Sequence, residues 1–461
     1  MTSLADLSAV DLVARYRDRS LSPVEVTEAV LQRIEAWEPK LQALWALDPA
    51  GARTAAAASA ARWAEGQPLG PVDGVPVTIK ENIATQGVPV PVGTAATPLV
   101  PAAEDAPPAA RLREAGAVIL AKSTMPDYGM LSSGLSSFHK LARNPWDLST
   151  NPGGSSAGAG AAAAAGYGPI HIGTDIGGSI RLPAAWCGIV GLKPSLGRIP
   201  IDPPYVGRVA GPMTRTVADT ALAMSVLSRP DWRDGMSLPP VEIDWSDLAI
   251  DPKGLRIGLM MDIGAGMALD PEVREAVEAA ARLLEAAGAV VEPVPAILTR
   301  EMLDGLDDFW RARSWDDVEK LPETQRAKIL PYIRAWAESG ARRSGLAVIR
   351  GFNQTMAIRK AAARLFSSLD FVLSPTAPVA RFPADWASPI NDPEKPFEHI
   401  GYTVPWNMSE QPAVSINCGT TTAGAPIGLQ IVGRRFDDLG VLQLAKAWED
   451  IRGPQLPWPV L

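Results

Sequence analysis

A serine behind two adjacent glycines occurs in the segment TDIGGSIRLPAAW, residues 174–186. A serine hydroxyl becomes a useful nucleophile only when a base lies within hydrogen-bonding reach and N–H donors face the oxyanion that forms. Gly177 and Gly178 lack Cβ atoms, so successive backbone N–H groups can point into one concavity beside Ser179. The segment therefore indicates nucleophilic chemistry at Ser179, although the same residues also fit a plain glycine turn between a strand and a helix.

The chain offers few other groups for such chemistry. It has three histidines, His139, His171 and His399, and none lies in an HExxH or HxxxH pattern, so we expect no catalytic metal. The two cysteines form no Cys-x-x-Cys pair, and Cys187 is interpreted as a buried packing residue. The base for Ser179 must then be a lysine, a carboxylate, a tyrosine or one isolated histidine.

A second Gly/Ser-rich segment, NPGGSSAGAG, covers residues 151–160. Gly158, Gly160 and Ala163 fit the dinucleotide pattern G-x-G-x-x-G/A, which would indicate a nicotinamide or flavin enzyme. That pattern requires a buried strand directly before it, but the preceding NPWDLSTNPGGSS is polar and rich in turn residues. The sequence also contains no phosphate-binding GxxxxGK[ST] loop, so we expect no cofactor.

Residues 151–200, NPGGSSAGAGAAAAAGYGPIHIGTDIGGSIRLPAAWCGIVGLKPSLGRIP, resemble the signature of the amidase-signature hydrolases. Four flanking segments are similar to the same family: GVPVTIKENI, AKSTMPDYGMLSS, RNPWDLS and NMSEQPAVSINCGTTTAGAPIGLQIVGRRFDD. The resemblance spans about residues 65 to 445, and residues 205–395 are its least characteristic part. It implies an amide hydrolase with a Ser-Ser-Lys triad, in which a serine held by a cis peptide bond relays a proton between the lysine and the nucleophile.

Matching these motifs gives each member of the implied triad a position in this chain. The nucleophile falls on Ser179, the relay on Ser155 and the base on Lys80 of TIKEN. The resemblance also implies an oxyanion hole made by the backbone amides of Ile176, Gly177, Gly178 and Ser179. It further implies that the substrate is bordered by Gly129, Met130, Ser132 and, from the C-terminal side, Trp406.

Lys80 can serve as a base only when its amine is neutral. A free lysine has a pKa of about 10.4 and a useful base lies near 7 to 8, so burial must destabilise the ammonium by about 4 kcal/mol. We therefore expect Lys80 to be buried and unpaired at the end of the strand-like alternation GVPVTIK, with Glu81 pointing away. Without the accompanying serine motifs, a lysine that ends a strand would be interpreted as a solvated edge residue.

The neighbours of the implied triad have mainly structural interpretations. Serines in Gly/Ser-rich turns commonly cap the following helix. We assign the relay to Ser155 and helix capping to Ser156, which in addition steadies the triad. Asp175 and Arg181 flank the nucleophile, and we expect them to hold its loop by hydrogen bonds rather than to transfer protons.

The implied reaction is hydrolysis of a small carboxylic amide to a carboxylate and ammonia or an amine, through a Ser179 acyl-enzyme. The alternative is the glutaminase or transamidase subunit of a tRNA-dependent amidotransferase. Those subunits usually carry an aspartate for glutamine three residues before a TxP motif, where HIGYTVPWN places Ile400, so the hydrolase is favoured. A catalytically inactive binding protein is the third class, and it is disfavoured because every triad position is filled.

Strands alternate with helices along the chain, which predicts an α/β fold: one large domain with a central mixed β-sheet flanked by helices on both faces. A capping box of Ser22 and Glu25 around Pro23 opens an N-terminal helix. Apolar runs predict strands near 74–80, 117–121, 169–173, 255–261, 412–419 and 426–433. We expect N-terminal helices over 1–64, the signature core over about 65–200, an elaboration over about 203–330 and the rest of the sheet over about 331–461.

Composition excludes several classes of partner. With 461 residues, 47% of them hydrophobic, the chain is long and apolar enough for a large core. Its net charge of −8 and its lack of a Lys/Arg cluster argue against nucleic acid as a partner. The sequence has no apolar run of about 18 residues and no leader-like N-terminus, so we expect no membrane segment and a cytoplasmic location. The expected partner is a small-molecule amide substrate, with a homodimer as the default assembly.

Overall fold

The computed structural model describes residues 3–455 and 457–461. Within them, eleven strands form one sheet: β1 Leu44–Trp45, β2 Pro76–Lys80, β3 Val118–Ser123, β4 Ile170–Asp175, β5 Val190–Lys193, β6 Val209–Thr214, β7 Arg256–Leu259, β8 Val290–Pro293, β9 Phe371–Pro375, β10 Ala413–Thr420 and β11 Pro426–Gly433. The α-helices are α1 Ala9–Arg17, α2 Pro23–Leu41, α3 Pro49–Glu65, α4 Pro107–Glu114, α5 Ala157–Ala165, α6 Arg181–Cys187, α7 Val217–Leu227, α8 Pro271–Ala286, α9 Arg300–Glu319, α10 Glu323–Arg326, α11 Pro331–Ser339, α12 Gly345–Leu365, α13 Val404–Met408 and α14 Asp438–Ile451. None of the described helices has the length and apolar character needed to cross a membrane.

The strands lie in the order β1-β3-β2-β4-β6-β5-β10-β11-β9-β7-β8 and form a mixed sheet. The pairs β2/β3, β2/β4, β7/β8 and β7/β9 are parallel, and the other neighbours are antiparallel. Parallel neighbours need a crossover connection: α4 connects β2 to β3, α8 connects β7 to β8, and the chain passes from β2 to its other parallel neighbour β4 through α4, β3 and α5. The α/β fold with a central mixed sheet, predicted from the sequence, is confirmed.

Helices cover both faces of the sheet, and alternate residues of its strands belong to two separate apolar cores. In β9, Phe371 and Leu373 pack in the first core, whereas Val372 packs in the second. The first core is closed by α1 to α4, α7, α8 and α14, and the second by α6, α9, α12 and α13. This arrangement places α9 and α13 on the same face as α6, which follows the predicted nucleophile.

Most predicted elements are present with slightly shifted ends. The six apolar runs correspond to β2, β3, β4, β7, β10 and β11. The capping box of Ser22 and Glu25 is present at the start of α2, and Pro23 is the first residue of that helix. Local alternation and capping signals therefore located these elements correctly.

The segment 203–330, expected to be an elaboration, supplies β6 to the middle of the sheet and β7 and β8 to one edge. The strand β6 carries Gly211 and Pro212, which argue against a central strand when only the sequence is considered. A Cβ at residue 211 would lie 2.0 Å from the carbonyl oxygen of Leu192 in β5, so glycine permits the close approach. Pairing with β5 stops at Met213, one residue short of the proline.

The ends of two neighbouring parallel strands set the place of the site. Ile79 of β2 lies beside Ile172 of β4, so the residues that end these strands, Lys80 and Thr174 among them, lie at the same edge of the sheet. The loop 176–180, which carries the predicted nucleophile, leads from β4 into α6. The topology thus brings two distant sequence motifs together.

Candidate active site

The amine of Lys80 is buried among hydroxyl groups. The residue has no solvent exposure. Its Nζ donates hydrogen bonds to Ser155 Oγ at 2.8 Å, Ser156 Oγ at 3.0 Å and Thr174 Oγ1 at 3.0 Å. Within the described part of the chain no carboxylate forms an ion pair with this amine. This environment is the one that a neutral lysine requires.

Burial lowers the pKa of Lys80 to about 7. The negative charges of Asp175 and Glu81 act in the opposite direction, and the positive charge of Arg208 adds to the lowering. The neighbouring hydroxyls bind the amine but supply no negative charge that would retain its proton. A large fraction of the amine is therefore neutral near pH 7, where it can accept a proton.

Glu81, the next residue along the chain, turns away from the amine. Its Oε1 accepts a hydrogen bond from the backbone N–H of Gly93, and its Oε2 contacts Nε2 of His139. The His139 ring packs edge-on against Trp45 and Phe138, with centroid distances of 5.9 and 4.9 Å. The carboxylate closest in sequence to the amine is thereby engaged elsewhere, which explains why Lys80 has no ion pair.

Ser155 faces the amine from the loop that precedes α5. The Gly154–Ser155 peptide bond is cis, and Ser155 is 3% exposed. Asn151 ties this loop together, because its Oδ1 accepts hydrogen bonds from the backbone N–H groups of Gly134 at 3.1 Å and Gly153 at 2.9 Å. The position of the Ser155 hydroxyl is therefore set by the backbone as well as by its bond to the amine.

Ser156 does not cap α5 in the way the sequence predicts. It is the N-cap residue, but its side chain makes no cap hydrogen bond. Its Oγ instead accepts hydrogen bonds from Lys80 Nζ and from the backbone N–H of Thr174 at 3.2 Å, and donates to the Thr174 carbonyl at 3.2 Å. The hydroxyl is engaged by the amine and by β4, so it joins Lys80 to the neighbouring strand.

The carboxylate of Asp175 shapes the loop 176–180. It accepts hydrogen bonds from the backbone N–H groups of Gly178 at 2.8 Å and Ile180 at 3.1 Å. Gly178 has a φ of 128°, and a Cβ there would lie 2.5 Å from Thr403 Oγ1. Only glycine fits this conformation without displacing its neighbours.

Three backbone amides of this loop remain free to bind an oxyanion. The N–H groups of Ile176, Gly177 and Ser179 have no hydrogen-bond partner among the described residues. Gly178, predicted as a fourth donor, is not available because its N–H already donates to Asp175. The glycine pattern alone does not reveal which way each N–H points. Sequence reasoning therefore could not tell that the N–H of Gly178 binds Asp175 while the other three remain free.

Arg181 keeps Asp175 in its charged form. Its Nε and Nη2 donate to the two carboxylate oxygens at 3.1 and 3.0 Å, and neither side chain is exposed. Burial alone would raise the pKa of Asp175, but the charge and hydrogen bonds of Arg181 hold that pKa well below its usual range. The remaining guanidinium N–H groups donate to Thr403 O at 3.0 Å, Gln430 Oε1 at 2.7 Å and Asn407 Oδ1 at 2.6 Å. The ion pair therefore anchors the loop to α13 and β11.

Ser179 lies between the buried amine cluster and an open cavity. Its carbonyl accepts a hydrogen bond from the backbone N–H of Ser156 at 3.1 Å, and the residue is 9% exposed at the cavity wall. Among the described residues, the hydroxyls of Ser155 and Ser179 are not hydrogen-bonded to each other. Catalytic hydrogen bonds are often long without substrate and tighten in the complex. The structure thus joins Lys80 to Ser155 directly and brings Ser179 beside them through the backbone.

The cavity in front of Ser179 has mainly apolar walls, with several aromatic side chains among them. Its walls include three of the predicted substrate neighbours, Gly129, Met130 and Ser132. Further walls come from α9, α11 and the segment 387–400, with Trp310, Arg313, Trp336, Phe397, His399 and Ile400 among them. Sequence reasoning pointed only to Ile400, at the position where amidotransferase subunits carry an aspartate for glutamine. It missed the others because they lie in the least characteristic part of the chain, where only the aromatic-rich stretch DDFWRARSW gave a signal.

Trp406, also predicted to border the substrate, is not among the described residues that line the cavity. It has no solvent exposure and packs in the second core, 6.1 Å from the ring of Phe366. Its neighbour Asn407 serves the nucleophile loop instead, since its Nδ2 donates to Asp175 Oδ1 at 2.9 Å. Thr174 is the opposite case: it contacts Lys80, yet its only sequence signal is its place just before the aspartate.

Comparisons with known proteins agree on one family. The amidase family model matches residues 25–442. A glutamyl-tRNA(Gln) amidotransferase subunit from Myxococcus xanthus is 36% identical over 97% of this chain and 97% of its own length, and an acylamidase from Rhodococcus erythropolis is 33% identical over 98% and 96%. Among solved structures, a bacterial aryl acylamidase of the amidase signature family superposes with a TM-score of 0.87 at 29% identity, covering 98% of this chain and 99% of the other.

Proposed function

The chain belongs to the amidase family, and from this premise we propose that it hydrolyses a small carboxylic amide through a Ser179 acyl-enzyme. The observation that carries the proposal is the amine of Lys80, which is buried, free of any described ion pair and 2.8 Å from the Ser155 hydroxyl. An uncharged amine in this position is a base that can act at neutral pH. Ser179, beside this cluster and at the cavity wall, is the hydroxyl that can reach a bound substrate.

The first half of the reaction forms the tetrahedral intermediate from which the acyl-enzyme arises. Neutral Lys80 takes the proton of Ser155, Ser155 takes the proton of Ser179, and Ser179 Oγ attacks the carbonyl carbon of the amide. The negative charge that develops on the carbonyl oxygen is held by the free N–H groups of Ile176, Gly177 and Ser179. These donors are fixed before the substrate arrives, so they need no reorganisation during the reaction.

The second half releases the products. The proton on Lys80 returns through Ser155 to the amide nitrogen, the C–N bond breaks, and ammonia or an amine leaves. A water molecule then gives a proton to the same relay and attacks the ester of Ser179. The collapse of this intermediate returns a proton to Ser179 and frees the carboxylate, so the enzyme regains its initial state.

The cavity supports an amide with an apolar or aromatic group. Trp310, Trp336, Phe397 and Ile400 line it, and such walls bind by removing apolar surface from water. The described lining residues include no carboxylate that could pair with the α-ammonium group of glutamine. This absence favours an amide without an α-ammonium group over glutamine, the substrate of the amidotransferase alternative.

The proposal is tested with purified protein and a panel of amides that contains aryl amides, aliphatic amides and glutamine. We expect carboxylate and ammonia or amine from aryl and aliphatic amides, and labelling of Ser179 by a fluorophosphonate probe. Ser179→Ala should lose both turnover and labelling, whereas Ser225→Ala, on the exposed face of α7, should keep both. Turnover of glutamine alone, dependent on added partner chains, would contradict the proposal and favour the amidotransferase alternative.

A further inference from the structure

One charged side chain projects from α9 into the wall of the substrate cavity. Arg313 is the only Asp, Glu, Lys or Arg among the described residues that line this cavity. The cavity therefore combines apolar and aromatic walls with one positive charge. Burying or half-burying an uncompensated charge is unfavourable, so this guanidinium calls for an anionic partner.

Arg313 has no such partner in the described part of the protein. It takes part in no ion pair or hydrogen bond there, although it is half-buried. Arg311, two residues earlier on the same helix, shows the usual arrangement: its guanidinium donates to Asp307 at 2.7 Å, Ser339 Oγ at 2.8 Å and Pro393 O at 3.0 Å. The difference between these two arginines indicates that Arg313 is kept free for a group that the protein itself does not supply.

The free guanidinium is nevertheless held in place. Its central carbon lies 4.0 Å above the ring centroid of Tyr205, a stacking that leaves the N–H groups at its edge available for hydrogen bonds. Arg208, from the same loop as Tyr205, brings a second positive charge close by. Burial and then the charge of Arg313 lower the pKa of Arg208 to about 10, while the negative charges of Asp202 and Asp234 act in the opposite direction, so Arg208 remains charged at neutral pH. An anion at Arg313 would relieve the repulsion between the two arginines.

His399 adds a neutral polar group to the same cavity. The residue is 2% exposed, and both of its ring nitrogens lack a hydrogen-bond partner among the described residues. Burial lowers its pKa to about 3, so the ring is uncharged and offers one N–H donor and one acceptor. Buried polar groups are normally hydrogen-bonded, so a polar group of the ligand can satisfy this ring without adding charge to the cavity.

We propose that the natural substrate is an amide that also carries a carboxylate, and that Arg313 binds this carboxylate while Ser179 attacks the amide. The proposal rests on the function proposed above and narrows its substrate class. A planar guanidinium can bind a carboxylate through two parallel hydrogen bonds, and the aromatic walls suit an apolar or aromatic spacer between the two ends of the substrate. Arg313 is a specificity residue and takes no part in proton transfer.

The first test compares matched substrates of different charge. The probes are 4-carbamoylbenzoate, which is anionic, and 4-methylbenzamide, which is neutral and of similar shape. The wild-type protein should prefer the anionic amide in kcat/KM, and Arg313→Gln should lose about 10- to 100-fold on it, mainly through KM. On the neutral amide the same variant should lose much less activity than on the anionic one. Equal treatment of both amides by the wild type, or equal losses on both in Arg313→Gln, would overturn the proposal.

A second test separates binding from turnover. In the Ser179→Ala background, the Kd of 4-carbamoylbenzoate measured by calorimetry should weaken by the same factor when Arg313→Gln is added. Arg343→Gln, which removes an arginine paired with Asp308 at 2.7 Å outside the described cavity wall, should leave this Kd unchanged. Arg313-dependent binding without turnover of any amide by the wild type would contradict the proposed function but support the carboxylate site. Turnover of neutral amides without Arg313-dependent binding would support the proposed function but contradict the carboxylate site.

Discussion

Two basic side chains with no solvent exposure, Lys80 and Arg181, contact residues next to the loop that carries Ser179. Lys80 is surrounded by the hydroxyls of two serines and a threonine. Arg181 instead binds both oxygens of the Asp175 carboxylate. The two residues are buried to the same extent, yet one is surrounded by uncharged hydroxyls and the other pairs with a carboxylate.

The difference shows how neighbours decide what burial does to a charged side chain. Burial disfavours the charged form of any group, whereas an opposite charge or hydrogen bonds to the charged form offset the effect. Around Lys80 the hydroxyls do not outweigh burial, so its pKa falls to about 7 and the amine becomes a base. Beside Arg181 the pKa of the Asp175 carboxyl is instead held well below its usual range, and the ion pair serves as a rigid support for the loop.

The largest expected effect follows from removing the lysine amine. In Lys80→Met, kcat/KM should fall by about 10⁴-fold or more, because one member of a unit that acts together is lost. Steady-state kinetics on a hydrolysed amide measures the loss, and circular dichroism checks that the fold is retained.

Lys122→Met is the matched control for this loss. Lys122 is equally buried with a pKa lowered to about 7, but its Nζ donates to Thr85 Oγ1 at 2.6 Å and to a backbone carbonyl, away from the serines. This variant should remain active. If Lys80→Met were as active as Lys122→Met, Lys80 would not be the catalytic base.

Breaking the ion pair of Arg181 and Asp175 should lower the stability of the fold before it affects the chemistry. Arg181→Met leaves the buried carboxylate of Asp175 without its partner, so the free energy of unfolding should fall by about 3 to 5 kcal/mol. Urea unfolding followed by tryptophan fluorescence measures this change. Adding Asp175→Asn should recover part of the loss, because the unpaired charge is then gone. A single variant as stable as the wild type would mean that the ion pair does not support the loop.

The motifs of the site could be predicted because they are local and chemically specific. The resemblance of these motifs to the amidase signature implied the groups at Lys80, Ser155 and Ser179. The structure hydrogen-bonds Lys80 to Ser155 and holds the Ser179 carbonyl against the backbone of Ser156, and the catalytic roles of the three residues stay a prediction. The direction of individual groups could not be predicted from the pattern. The N–H of Gly178 donates to Asp175, and the hydroxyl of Ser156 binds the amine of Lys80 rather than capping α5. Both directions depend on how distant segments pack.

The same limit applies to the fold and to the cavity. Alternation of apolar residues revealed the strands on either side of the site, but β6 remained unrecognised because its glycine and proline fit only in the context of β5. Trp406 was placed at the substrate although it packs in the second core, and Trp310 was missed although it lines the cavity. An aromatic residue carries no local signal that tells a core position from a cavity wall.

A smaller effect is expected from one of the hydroxyls around the amine. Thr174→Val keeps the shape of the side chain but removes one hydrogen-bond partner of Lys80 and of Asn82 Nδ2, which donates at 3.1 Å. A hydrogen bond to a group that becomes charged is worth about 1.5 to 3 kcal/mol, so kcat should fall by about 10-fold or somewhat more. Single-turnover kinetics measures the chemical step. Thr78→Val, one strand away and bonded to His171, serves as the control and should leave the rate unchanged.

The smallest effect concerns the carboxylate that turns away from the amine. Glu81 raises the pKa of Lys80 through its negative charge, so Glu81→Gln should lower that pKa. The rise of kcat/KM with pH should then begin at a lower pH, by less than about one unit. A shift to higher pH would mean that Glu81 does not act on Lys80 through its charge.

The protonation of Lys80 is tested most directly by the rate at which a fluorophosphonate labels Ser179, measured from pH 5 to pH 10. Labelling needs the amine in its neutral form, so the rate should rise with pH and reach half of its maximum at about pH 7, the pKa of Lys80. A half-maximum near the ordinary lysine pKa of about 10.4, or a rate that does not change with pH, would contradict a neutral amine as the base.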